Sequence, residues 1–150
     1  MLRSFFQRGA VMLLLSTLVT AAAAGCSRQP RYDAPPVDGD DIVLTVGELP
    51  HDVPVFYTLM TGGRPVNFFV IRMNDGVHAY LDACVSCYQH RLGYASRDGR
   101  VICRYCSTEF SIYKLEKGIG GCYPIRIPGR TDVGRYRIRR AAIEAESFRF

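Results

Sequence analysis

The chain has 150 residues, 48% of them hydrophobic and 22% charged, with 19 Lys and Arg against 14 Asp and Glu. This is the composition of one globular domain, and it excludes a disordered chain. Residues 1–25 carry Arg3 and Arg8 and no acid, so beyond them 17 basic side chains face 14 acidic ones and the net charge falls from +5 to +3, too weak a balance for a nucleic-acid binder.

The first element reads as an address. Arg3 and Arg8 form a positive stretch, residues 10–19 an apolar run, and residues 21–25 a small-residue tail that ends before Cys26. A spanning helix needs about 20 apolar residues, so residues 1–25 are expected to be a signal peptide. Ala23-Ala24-Gly25-Cys26 is similar to a bacterial lipobox, in which the cysteine after the cut is lipidated. An ordinary secretory signal or an uncleaved anchor is the alternative. Lipid on Cys26 would tie an exported protein to a bacterial membrane, on the periplasmic or outer-membrane side, without a transmembrane helix. Next, residues 27–41 are rich in Pro and charge and lack apolar periodicity, as in a flexible tether. At roughly 3.1 Å per residue, such a tether would let a domain stand up to about 45 Å from its anchor.

The folded unit is expected over residues 42–150, as a mainly β, small antiparallel domain. Residues 42–46 and 53–60 read as short strands, and residues 65–73 are apolar on both faces, as in a central buried strand. Asn74-Asp75-Gly76 supplies a hairpin turn before the alternation of Val77, Ala79 and Leu81 with His78, Tyr80 and Asp82. Arg97-Asp98-Gly99-Arg100 marks a second hairpin between residues 92–96 and 101–103. Residues 111–117 suit a single helical turn stopped by Gly118, Gly120 and Gly121. Strands at 123–127 and 135–138 and a brief helix at 141–146 complete the pattern.

The most specific signal lies in residues 84–127. Cys84-x2-Cys87, fifteen residues, Cys103-x2-Cys106, fifteen residues and Cys122 follow one another. A C-x2-C loop can aim two thiolates at one ion, and a hairpin spacer can bring two such loops together into a tetrahedral site of the zinc-ribbon or rubredoxin kind. Thiolates suit iron, iron–sulfur clusters, zinc and Cu(I) alike. Disulfides are the alternative in an oxidising compartment, but five cysteines leave one unpaired. Tyr88 and Ser107 follow the two pairs where haem attachment requires His, and no helix long enough for a thioredoxin-like dithiol follows either. Seven basic residues against three acidic ones between Cys84 and Ile127 have the sign needed to offset thiolate charge. Tyr88, Tyr94, Tyr105, Phe110 and Tyr123 are candidates for an apolar shell, and the three glycines for close backbone approach to sulfur.

The segments Asp82-Ala83-Cys84-Val85-Ser86-Cys87-Tyr88, Val101-Ile102-Cys103-Arg104-Tyr105-Cys106 and Gly120-Gly121-Cys122-Tyr123-Pro124-Ile125, with Asn67-Phe68-Phe69-Val70 upstream, resemble the family of membrane iron–sulfur containing proteins called FtrD-like. The resemblance covers roughly residues 42–128. It implies a thiolate-bound iron–sulfur or other metal centre at a membrane, and association with a bacterial iron-uptake permease or redox partner. By position it carries over Cys84, Cys87, Cys103, Cys106 and Cys122 as candidate ligands. Tyr123 stands where the family usually has Asn, and a signal and tether stand where many members have a multi-span region, so an accessory domain is expected rather than a transporter.

Other residues carry weaker signals. His90 follows Cys87 by three positions, Met60 and Met73 are possible Cu(I) ligands beside thiols, and Arg135, Arg137 and Arg139 share one face of a strand that suits anionic headgroups or an acidic partner. No Ser-His-Asp order, phosphate loop or carboxylate pair supports hydrolytic or phosphoryl-transfer catalysis. Electron transfer or iron handling therefore leads. A structural-zinc interaction module and thiol-based copper handling are the alternatives.

Overall fold

A computed structural model describes residues 29–150; the expected signal peptide and Cys26 lie outside the described residues. Among the described residues eleven strands form three antiparallel sheets. The first holds β1 (Val37–Asp38), β2 (Asp41–Thr45), β11 (Arg135–Arg139) and β10 (Gly129–Asp132), in that order. The second holds β3 (Val55–Thr61), β4 (Arg64–Met73), β5 (Gly76–Cys84) and β9 (Pro124–Ile127). Tyr94–Arg97 (β6), Arg100–Cys103 (β7) and Glu109–Ser111 (β8) make the third. Helix α1 (Arg140–Glu144) follows β11.

The middle sheet serves two cores, which is why β4 is apolar on both faces. Side chains alternate along a strand, so Val66, Phe68 and Val70 pack with Ile42, Leu44 and Ile138 of the first sheet and Ile143 of α1, while Phe69 and Ile71 face the third sheet. In β5, Val77, Ala79, Leu81 and Ala83 join the first core, and Tyr80 and Cys84 the second. Pairing of Phe68 with Leu81 and Phe69 with Tyr80 fixes this register. A slip of one residue would turn Cys84 away from the other cysteines.

Both hairpin expectations hold. β4 and β5 close around Asn74 and Asp75 with Met73 opposite Gly76. Asp98 and Gly99, both with positive φ, form the two-residue turn that pairs Arg97 with Arg100. Residues 112–117 form the expected short helical segment, in which the Ser111 hydroxyl accepts from the Tyr113 N–H. Strands β1, β8 and β10 were not foreseen: β1 has two residues, β8 three with only Phe110 buried, and β10 is fully exposed, so none shows a sustained alternation.

One expectation is corrected. The described part of the supposed tether is docked, and the folded unit starts before residue 42. Gln29 Nε2 donates to the Asp82 carbonyl at 2.6 Å, Asn67 Nδ2 to the Pro30 carbonyl at 2.8 Å, and the Tyr32 N–H to the Thr58 hydroxyl at 2.8 Å. Tyr32 stacks on Phe56, and Val37–Asp38 pairs with β2. The cause is on the partner strands: Thr58 and Asn67 sit opposite each other, buried and polar, and the passing chain satisfies them. Composition alone hid this, because the segment binds through backbone and amide groups rather than an apolar stripe.

Gly93 holds the same region together. At φ +64 its missing side chain leaves room for the Asp82 carboxyl and the Gln29 amide, each 2.6 Å from where a Cβ would stand. Gly93→Ala is expected to lower stability by about 2 kcal/mol or more, read as a shift in urea midpoint. An unchanged midpoint would show that Gln29 and Asp82 give way freely.

Candidate metal centre

Five cysteines converge at the open end of the second core. Cys84 ends β5 and Cys103 ends β7, both buried because they continue the inward alternation of Tyr80 and Val101. Cys122 is delivered by a third device. Ile119 and Cys122 exchange backbone hydrogen bonds of 3.1 and 2.9 Å around Gly120 and Gly121, whose φ values of +59 and +78 are those of a tight two-residue turn. The Ser86 hydroxyl donates to the Gly121 carbonyl at 2.7 Å and the Val85 N–H to the Tyr123 carbonyl at 3.1 Å, fastening this turn to the Cys84 loop. These glycines form a defined turn, and their type follows from the backbone they adopt.

The ligand atoms of Cys84, Cys87, Cys103 and Cys122 all lie within 4.8 Å of one another. Cys122 Sγ is 3.0 Å from Cys84 Sγ and 3.3 Å from Cys106 Sγ. A disulfide bond measures about 2.05 Å, and all five thiols are free. Cys106 lies at the margin, exposed and 3.2 Å from the Thr108 hydroxyl.

The surroundings set the acidity of each thiol. Burial raises Cys122, and the neighbouring thiols of Cys84 and Cys106 add to it. Burial and Cys84 push Cys87 up to about 12. Cys103 is also raised, burial outweighing the N–H groups of Cys106 and Tyr105. For Cys84, burial is overcome by the Cys122 thiol and by the N–H groups of Cys87 and Ser86, and the value falls. Cys106 is drawn down to about 6: burial opposes this, but Thr108, through hydroxyl and N–H, and the thiols of Cys122 and Cys103 prevail. Protons held by the raised thiols are those a bound cation displaces.

Four of the seven basic side chains expected to offset the thiolates are engaged elsewhere. Arg97 and Arg100 lie within 3.7 Å of Glu109, Arg126 pairs with Glu116 at 2.8 Å, and Arg104 donates to the Tyr94 carbonyl. Backbone N–H groups at the two knuckles favour the thiolates of Cys84 and Cys103, an arrangement that tunes metal thiolates.

Two polar groups beside the cluster were not singled out in their roles by sequence. Asp82 lies two residues before Cys84 on the same strand face, wholly buried; its Oδ1 accepts from the Tyr94 N–H at 2.5 Å and its Oδ2 has no partner among the described residues. The Tyr94 hydroxyl is likewise buried without a hydrogen-bond partner. Burial and the nearby Cys84, Cys122 and Cys103 thiols raise its pKa. A period-two reading backward from Cys84 would have found Asp82.

Of the five aromatics expected around the sulfurs, Tyr94 and Phe110 belong to the second core; Phe69 and Tyr80 complete it. Tyr88 packs against Phe148, and Tyr105 stacks on His90 at 3.4 Å between ring centroids, joining the two C-x2-C loops. His90 therefore has a packing partner outside the four-sulfur group. Met60 is exposed, and Met73 packs against the second core.

The donor set fits a thiolate-bound metal. Bonds of about 2.3 Å in a tetrahedron separate sulfurs by roughly 3.8 Å, a spacing that four thiols within 4.8 Å of one another accommodate. Cys84, Cys87, Cys103 and Cys122 would hold the ion, with Cys106 adjoining, and the orphaned Tyr94 hydroxyl is placed to donate to charged sulfur. Among the described residues no helix is long and apolar enough to cross a membrane.

Fold and site together define a mainly antiparallel β protein with a cysteine cluster suited to metal binding. Residues 49–150 match the family described as membrane iron–sulfur containing protein FtrD-like, and the chain belongs to that family. Among curated proteins none matches. A solved structure assigned as a nitrite reductase NADPH small-subunit oxidoreductase protein aligns at 16% identity over 65% of this chain and 96% of that one, with a TM-score of 0.38.

Proposed function

We propose that this is an exported protein, lipid-anchored through Cys26, whose cysteine cluster holds an iron–sulfur or other redox-active thiolate metal and serves electron transfer or iron handling beside a bacterial iron-uptake system. The observation that carries the reading is the group of four sulfurs within 4.8 Å, in a chain of a family described as iron–sulfur containing. When bound, such a centre supplies one-electron chemistry. The chain's own part is to bury Cys84, Cys103 and Cys122 while leaving Cys106 exposed, which brings the redox edge within reach of a partner.

The sulfur spacing favours a second reading, a single ion held by four thiolates, with structural zinc as its extreme. A cluster with bridging sulfides needs its thiolates farther apart than one ion does. Anaerobic purification followed by iron, zinc, copper and acid-labile sulfide analysis separates the two. Iron with stoichiometric sulfide supports the first. One zinc without sulfide overturns it and leaves a metal-held interaction module, and copper without sulfide selects copper handling.

A further inference from the structure

We propose that a cleft lined by Arg31, Arg64 and Arg91 binds the phosphates of anionic phospholipid headgroups and lays the domain directly on the bilayer. The inference rests on the reading that Cys26 carries the lipid. Its first support is the path of the chain. Gln29 is fixed to Asp82 and Pro30 to Asn67, so the cleft that Gln29 and Asn67 also line begins three residues from Cys26. Three Cα steps of 3.8 Å span at most about 11 Å, and the headgroup layer is itself roughly 5–7 Å thick on each side of the bilayer. A domain fastened this close to its anchor has no 45 Å of slack; one face must meet the headgroups.

Charge identifies that face. The cleft, about 440 Å³, has three guanidinium groups and no acidic side chain in its lining. None of the three makes an ion pair among the described residues, whereas Arg97, Arg100, Arg126, Arg137, Arg139, Arg140 and Arg149 all do. The strand stripe that sequence offered for headgroups is largely neutralised: Arg137 and Arg139 lie within 3.8 Å of Asp41, and Asp38 joins them. Arginine presents a planar fork suited to phosphate. The three come from separate segments, the docked strap, the start of β4 and the turn after Cys87, and the buried Asn67 network holds the strap to β3 and β4. Because Arg91 follows Cys87 by four residues, this orientation also sets the first cysteine loop near the membrane surface.

The test uses the full chain, expressed so that it is processed and purified with its lipid verified by mass at Cys26. It is placed in vesicles of phosphatidylcholine alone or with one-third phosphatidylglycerol. Amide exchange in peptides containing Arg31, Arg64 and Arg91 is expected to slow about tenfold on the anionic vesicles. In the Arg31→Gln/Arg64→Gln/Arg91→Gln variant the difference is expected to vanish, while peptides of β5 and β7 stay protected as evidence of folding. Equal exchange on both vesicles, with acyl mass present, overturns the cleft proposal alone. Absence of acyl mass overturns the anchor reading and the proposal with it. Protection reproduced in detergent by inorganic phosphate, with none added by anionic vesicles, identifies a free-anion site and overturns the membrane assignment.

Discussion

Cys122→Ser is expected to reduce bound metal to less than about a tenth of the wild-type content after dialysis against a chelator, whereas Cys106→Ser retains most of it. The geometry makes the distinction. Cys122 belongs to the four sulfurs within 4.8 Å, is buried, and stands 3.0 Å from Cys84; Cys106 is exposed and touches the group through Cys122 at 3.3 Å. The tight Gly120–Gly121 turn and the Ser86 hydrogen bond fix Cys122 before any ion arrives, so the serine variant keeps its backbone and loses only the sulfur. Structural thiolate sites contribute on the order of 10 kcal/mol, and three of the thiols are themselves core residues. Loss of the ion should therefore also lower Tm steeply in a wild-type chain stripped by chelator. Full metal in Cys122→Ser and loss in Cys106→Ser would instead make the two C-x2-C pairs the ligand set, with Cys122 outside it.

What sequence made legible here, and what it did not, divides along a physical line. Periodicity and turn chemistry act over a few residues, so β4, β5, the Asp98–Gly99 hairpin and both cysteine loops could be placed from the residues themselves. The spacing of the pairs foretold convergence of the thiols because a hairpin between them returns the chain, and β6 and β7 do that. Selection of Cys122 into the tight group depended on a turn whose position is set by Ser86 and Tyr123, a tertiary matter invisible in spacing. The docked strap was missed for a similar reason. Pro-rich polar chain looks like tether unless a buried Asn67 and Thr58 elsewhere demand its carbonyl and amide groups. Charge counting said least about the site: Arg97, Arg100 and Arg126 are engaged by Glu109 and Glu116 and Arg104 by the Tyr94 carbonyl, while N–H groups that every sequence supplies favour the thiolates of Cys84 and Cys103.

Asp82→Asn is expected to remove a pH dependence of stability, so that the order of the two proteins changes across the pH range. Burial pushes the Asp82 carboxyl up to about 8, against the lowering influence of the Tyr94 N–H, Arg104 and Asn67. In the unfolded chain it titrates near 3.9. Below that value both states hold the proton and the carboxyl adds no pH dependence. Between about pH 4 and 8 the folded chain keeps a proton that the unfolded chain has released, so stability falls as pH rises, by up to roughly 1.4 kcal/mol per unit and about 5 kcal/mol in all. Asparagine retains an oxygen for the Tyr94 N–H and cannot ionise. Its amide takes the place of an Oδ2 that has no partner, a cost of about 1–3 kcal/mol. The variant should thus be the less stable protein near pH 4 and the more stable one above pH 8, by about 2–4 kcal/mol. Urea unfolding across that range reads the crossing. Parallel curves for the two proteins would show that Asp82 is already ionised in the fold, with its charge met by a group that the present hydrogen bonds do not include.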